Sequence, residues 1–67
     1  MTRIEIIAAL AMKMGISPAD AVALPTVITV ASGKMRMSET AFIAEALVNA
    51  PLRDYLAQIC NTAAKAA

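Results

Sequence analysis

The chain contains no histidine and no tryptophan, one cysteine, two glycines, three prolines, one phenylalanine and one tyrosine. Each shortage excludes something. Without histidine the common zinc-ligand sets cannot be assembled, and acid–base chemistry loses the side chain that titrates nearest neutrality. The lone Cys60 has no partner for an internal disulfide and no histidine to activate it. Gly15 and Gly33 stand far apart, so no glycine-rich phosphate loop exists, and each reads as a helix stop. Neither charge sign dominates: six Lys and Arg against five Asp and Glu leave a net charge of +1. That balance gives little attraction for a strongly polyanionic partner.

Catalysis finds no residues to carry it. The carboxylates Glu5, Asp20, Glu39, Glu45 and Asp54 sit at expected helix starts or on wet faces. Glu39 and Glu45 are six positions apart on one expected helix and point in different directions. Cys60 falls on an apolar stripe, where a thiol stays protonated and inert. The sequence therefore reads as non-enzymatic, with no catalytic, metal, cofactor or small-molecule substrate site.

What is abundant is apolar side chain. Apolar residues make up 60% of the chain and charged residues 16%, against roughly 45–50% and ~25% in ordinary globular domains. A length of 67 residues accommodates one domain, residues 1–67. So short a fold has a high surface-to-volume ratio and cannot shelter such a surplus inside one copy. Alanines, tolerated at surfaces, account for part of it. The remainder predicts association, either a homo-oligomer or a subunit of a larger complex.

The opening Met-Thr-Arg-Ile-Glu-Ile-Ile does not read as a secretory signal, because Glu5 and Lys13 interrupt its apolar stretch. The longest low-charge run, from Ala21 to Ser32, is too short to cross a bilayer and contains Pro25. The expectation is a soluble cytoplasmic protein with Cys60 as a reduced core thiol.

Helix punctuation is regular. Thr2-Arg3-Ile4-Glu5 is a capping box that opens a helix ending near Met14 at Gly15. Ile4, Ile7, Ala8, Ala11 and Met14 have the helical spacing of an inner face. Ser17-Pro18-Ala19-Asp20 opens a second helix, which Pro25 ends or kinks near Leu24. The β-branched run Thr26–Val30 predicts a short third helix begun by Pro25 and stopped by Gly33, or else a strand paired across a dimer. A loop follows over Gly33–Met37. Ser38 caps a fourth helix with Phe42, Ile43, Ala46, Leu47 and Ala50 inward and Glu39, Glu45 and Asn49 wet. Pro51 starts a fifth, with Leu52, Tyr55, Leu56, Ile59, Cys60 and Ala63 inward. Its other side, Arg53, Asp54, Gln58, Asn61 and Lys65, faces water, and its tail from Ala63 to Ala67 is expected to fray. The fold class is all-α, a compact bundle of about five short helices.

The segment Leu10–Val22 is similar to a helix-turn-helix, with an alanine four residues before the glycine and Gly15-Ile16-Ser17-Pro18 as the turn. That resemblance implies a small DNA-binding transcriptional regulator. The chain departs from the pattern where bases would be read: Pro18, Ala19, Asp20, Ala21 and Ala23 occupy the recognition positions, and no cation lies between Lys13 and Lys34.

Lys34-Met35-Arg36-Met37 alternates cations with flexible thioethers, residue types suited to protein contacts. Met12 extends this candidate partner-binding set, and Tyr55 supplies an aromatic anchor. The sequence thus points first to a protein-interaction or assembly module, of the small site-free kind that phage components and host-directed inhibitors use. DNA binding is the alternative, and no helix joins a basic face to an apolar one as a membrane binder would.

Overall fold

The computed structural model describes residues 2–66. Among these the regular structure is entirely helical: α1 (Arg3–Met14), α2 (Pro18–Lys34), α3 (Glu39–Val48) and α4 (Ala50–Ala66). All four contribute to one core, in which Leu10, Leu24, Ile28, Phe42, Leu56 and Cys60 are fully buried.

Local chemistry sets the helix starts. The hydroxyls of Thr2, Ser17 and Ser38 accept the amides of Glu5, Asp20 and Ala41 at 3.2, 3.2 and 3.1 Å. Thr2 also donates its hydroxyl proton to the Glu5 carboxylate, closing the expected capping box through side chains. Gly15 ends α1 in the left-handed conformation (φ 67°), as its position predicts.

Four helices replace the expected five because α2 continues through Pro25. An interior proline costs about 3 kcal/mol, since it removes one helix hydrogen bond and crowds the preceding turn. Set against that is burial of Leu24 on one side of it and Val27 and Ile28 on the other, at about 1.5–3 kcal/mol per side chain. Burial wins. It also overrides the strand preference of Thr26–Val30, which is helical throughout, so an intermolecular strand there is ruled out by the fold. The Pro25 carbonyl gains a further donor, the Arg3 guanidinium at 3.4 Å, and the Thr29 hydroxyl oxygen lies 3.1 Å from it.

Gly33 is a helical residue and not the stop. The left-handed position falls instead on Arg36 (φ 56°). The Met37 amide donates to Ser32 O and the Arg36 amide to Gly33 O, the paired bonds of a Schellman cap. Only Met35–Ser38 remain as connection, and Met37 tucks against the core.

Between α3 and α4 a single residue, Asn49, breaks the helix. Its carbonyl side chain accepts the Leu52 amide at 3.0 Å, which makes Asn49 the cap of α4 and starts that helix one residue before Pro51. Ala50 accordingly belongs to α4 and is exposed. Arg53, expected in water, folds back and donates to the carbonyls of Ala46 and Leu47 at 3.0 and 2.9 Å, closing the C-terminal end of α3. On α1 the inner face is Ile7 and Leu10 flanked by Ile6, Ala11 and Met14, leaving Ile4 and Ala8 exposed against expectation. Helix α4 continues through Ala66, and the last residue of the expected frayed tail, Ala67, lies outside the described residues.

Candidate functional site

Helices α2 and α4 make the most extensive helix pairing in the molecule. They lie antiparallel, since the start of α2 is tied to the far part of α4 by Asn61 donating to Asp20 at 3.2 Å. The C-terminal half of α2 therefore faces the N-terminal half of α4. Between these halves opens a groove of about 310 Å³. Its α2 wall presents Thr26, Val30 and Lys34, which recur every four residues, and its α4 wall presents Leu52, Tyr55 and Ile59. Phe42 and Val27 form part of its floor, and Met35 stands at one end.

The groove is apolar yet open. Val30, Met35 and Tyr55 are 51%, 52% and 58% exposed around it. Its polar groups are the Thr26 and Tyr55 hydroxyls and the Lys34 ammonium, the one formal charge on its walls. A second, shallower furrow continues from Tyr55 and Ile59 along α4 past Gln58, Thr62 and Ala63 to Ala66.

Of the six residues expected from sequence to bind a partner, the structure brings Lys34, Met35 and Tyr55 together at this groove. Tyr55 is there because it faces outward, contrary to the expected inward position. Met37 belongs to the core periphery, Arg36 serves as the left-handed cap residue, and Met12 projects from α1 with 84% of its surface exposed. None of those three lines the groove. Missed from sequence were Thr26, Val30, Leu52 and Ile59. The four-residue spacing of Thr26, Val30 and Lys34 is the signal for the α2 wall, but it emerges only when the helix is carried past Pro25.

Cys60 is fully buried, and burial together with the nearby Asp20 charge pushes its thiol above the ordinary value. A thiol so placed is a packing group. Among the described residues, no three acidic or cysteine side chains converge in the way a metal ion requires, and no helix is long and apolar enough to cross a membrane. No buried side-chain nitrogen or oxygen among them lacks a hydrogen-bond partner. The polar interior of the described residues is thus fully engaged in structure.

The chain matches no protein-family model, no curated protein and no solved structure.

Proposed function

We propose that this chain is a protein-interaction module whose contact surface is the groove between α2 and α4. The observation that carries the reading is the grouping of Val30, Met35 and Tyr55, each more than half exposed, around one apolar cavity. Apolar side chains scattered singly need no explanation, whereas several converging on a concave face mark a contact site. Aromatic residues and methionine are the types enriched at such contacts. A standard interface takes roughly 800 Å² per partner, and the chain exposes 4308 Å² in all. One partner on this face would therefore cover close to a fifth of the molecule.

The helix-turn-helix reading has less support. The first turn of α2 carries Pro18, Ala19 and Asp20, and the Asp20 carboxylate is occupied by Asn61. A phosphate approaching that turn would meet a negative charge and no cation.

Light scattering over a concentration series, with and without duplex DNA, tests the reading. The expected result is a mass above one chain that Val30→Asp returns to that of one chain, with no response to DNA. For a partner other than itself, a photo-crosslinking residue at Val30 reports in cells, with a matched one at exposed Thr40 on α3 as control. A strict monomer that forms a complex only with DNA, or one that neither associates nor crosslinks through Val30, contradicts the proposal.

A further inference from the structure

The polar groups of the groove are unevenly placed along it. Because α2 and α4 run antiparallel, Lys34 and Leu52 stand at one end and Thr26 and Ile59 at the other. At 1.5 Å per residue the α2 wall from Thr26 to Lys34 is about 12 Å long. Val30 and Ala31 line it, with Tyr55 opposite, and no carboxylate does. Lys34 is exposed, so its stem lines the wall while its ammonium stays at the wet rim. Among the described residues it forms no salt bridge, the one such pair being Arg3 with Glu39. Beyond Ile59 the trough runs on into the shallower furrow along α4, past Thr62 and Ala63 to Ala66.

Shape and charge together describe an occupant. A long apolar trough between two helices suits an unbranched chain. A cation at one end only suits a chain with one anionic head and no other charge. A single ammonium, with no arginine on the walls, matches a carboxylate, whereas a phosphate recruits several donors. The volume of about 310 Å³ falls within the range of about 300–1,000 Å³ that small-molecule sites occupy. We propose that the groove is a binding site for a medium-chain fatty acid. Its carboxylate pairs with the Lys34 ammonium, and its alkyl chain lies along Val30 over Phe42 and Val27, with its end toward Ile59. The head stays in water at the rim, so buried methylenes supply most of the affinity and Lys34 sets the direction of the chain. This inference goes beyond the contact-face reading and stands without it. A bound chain covers Val30, Met35 and Tyr55, so on these walls fatty acid and protein partner exclude each other.

Calorimetric titration and amide-shift mapping of the wild-type chain with octanoate, decanoate and decylammonium, each below its micelle concentration, test this. Decanoate should bind about four- to fifteenfold more tightly than octanoate, as two further methylenes are buried. Its shifts should gather on residues 26–35 and 52–59. In Lys34→Glu the preference for decanoate over decylammonium, taken as a ratio of dissociation constants, should fall about tenfold or more. Val30→Asp should abolish decanoate binding, and circular dichroism confirms that both variants keep their helices. Where the wild-type chain self-associates, saturating decanoate should return it to the mass of one chain, and an associate that persists with decanoate bound overturns the mutual exclusion. Binding only above the micelle concentration, a charge preference that Lys34→Glu leaves unchanged, or shifts centred elsewhere overturns the fatty-acid site. The contact reading is decided separately by association and by crosslinking through Val30. Either of these without decanoate binding means that protein alone covers the groove, and decanoate binding with neither means that the groove is a ligand site and not a protein contact.

Discussion

Arg3 and Glu39 lie 36 positions apart in sequence and meet at 2.8 Å between the first turns of α1 and α3. Thr29 of α2 reaches the same carboxylate at 3.1 Å, and Arg3 also reaches the Thr29 hydroxyl and the Pro25 carbonyl. Three helices are thereby pinned at one point, beside the proline that α2 has to accommodate. The Arg3 hydrogen bond, then that of Thr29, holds the Glu39 carboxyl below its ordinary range, outweighing the opposing effect of partial burial.

A carboxyl depressed in the fold contributes stability above its unfolded value and loses it as the pH falls toward its folded one. Urea denaturation across a pH series should therefore show stability falling from about pH 5 downward. Glu39→Gln should lower stability at neutral pH and flatten that part of the profile. Raising the salt concentration should narrow the gap between wild type and variant, because the pair is partly exposed. An unchanged acid limb in the variant would deny the pin its role.

The Arg36 cap carries a conformational cost. A non-glycine residue in the left-handed region pays about 1 kcal/mol that glycine does not, and Arg36 sits there at φ 56°. Gly33, meanwhile, occupies a helical position where an added Cβ meets nothing within 4 Å. Arg36→Gly and Gly33→Ala should each stabilise the fold by about 0.5–1 kcal/mol, read as a rise in the urea midpoint without change in slope. Loss of stability in Arg36→Gly would mean that its side chain holds the turn.

Arg53 supplies to α3 the cation that its own last turn lacks. Arg53→Met keeps most of the aliphatic stem and removes the donors, so the loss should be about 1–2 kcal/mol. Hydrogen exchange should quicken most at the end of α3 and across the Asn49 junction.

The interior sets a sharper limit. Phe42 is fully buried at the meeting of all four helices, and Phe42→Ala should cost about 3–5 kcal/mol. The total stability of so short a chain is only about 3–10 kcal/mol, so thermal melting should show this variant largely or wholly unfolded. Cys60, fully buried with its ionisation held back, should react with a thiol reagent only as fast as the fold opens. Its raised value also predicts declining stability above about pH 8.5, where the unfolded thiol ionises and the folded one does not.

Helix starts and most of the inner faces were legible in the sequence because both rest on local chemistry. Thr2, Ser17 and Ser38 cap where a hydroxyl precedes a helical pattern, and Phe42, Ile43, Leu56 and Cys60 face inward as their spacing requires. At two places packing overrides local propensity. Pro25 and the β-branched run read as an interruption, but burial of Leu24, Val27 and Ile28 outweighs both terms. Gly33 read as a stop because glycine adopts the left-handed cap cheaply, yet the register of α2 places that cap on Arg36.

The groove between α2 and α4 was half legible for the same reason. Lys34, Met35 and Tyr55 stood out by residue type, whereas Thr26 and Val30 join them only on a continuous α2. Met12 and Arg36 have the right chemistry, and the packing of the helices puts them elsewhere. Leu52 and Ile59 follow the apolar period of α4, and periodicity does not say whether a neighbouring element covers that stripe. Here α2 covers it on one side and leaves the other open.

The most direct test of the account is the change in amide chemical shifts of the wild-type chain between micromolar and millimolar concentration. Self-association through the groove predicts shifts gathered on Thr26–Met35 and along α4, with Thr2–Ile16 and the exposed side of α3 unmoved. Spectra that stay unchanged over the whole range, or shifts centred on the α1–α2 turn, would contradict it.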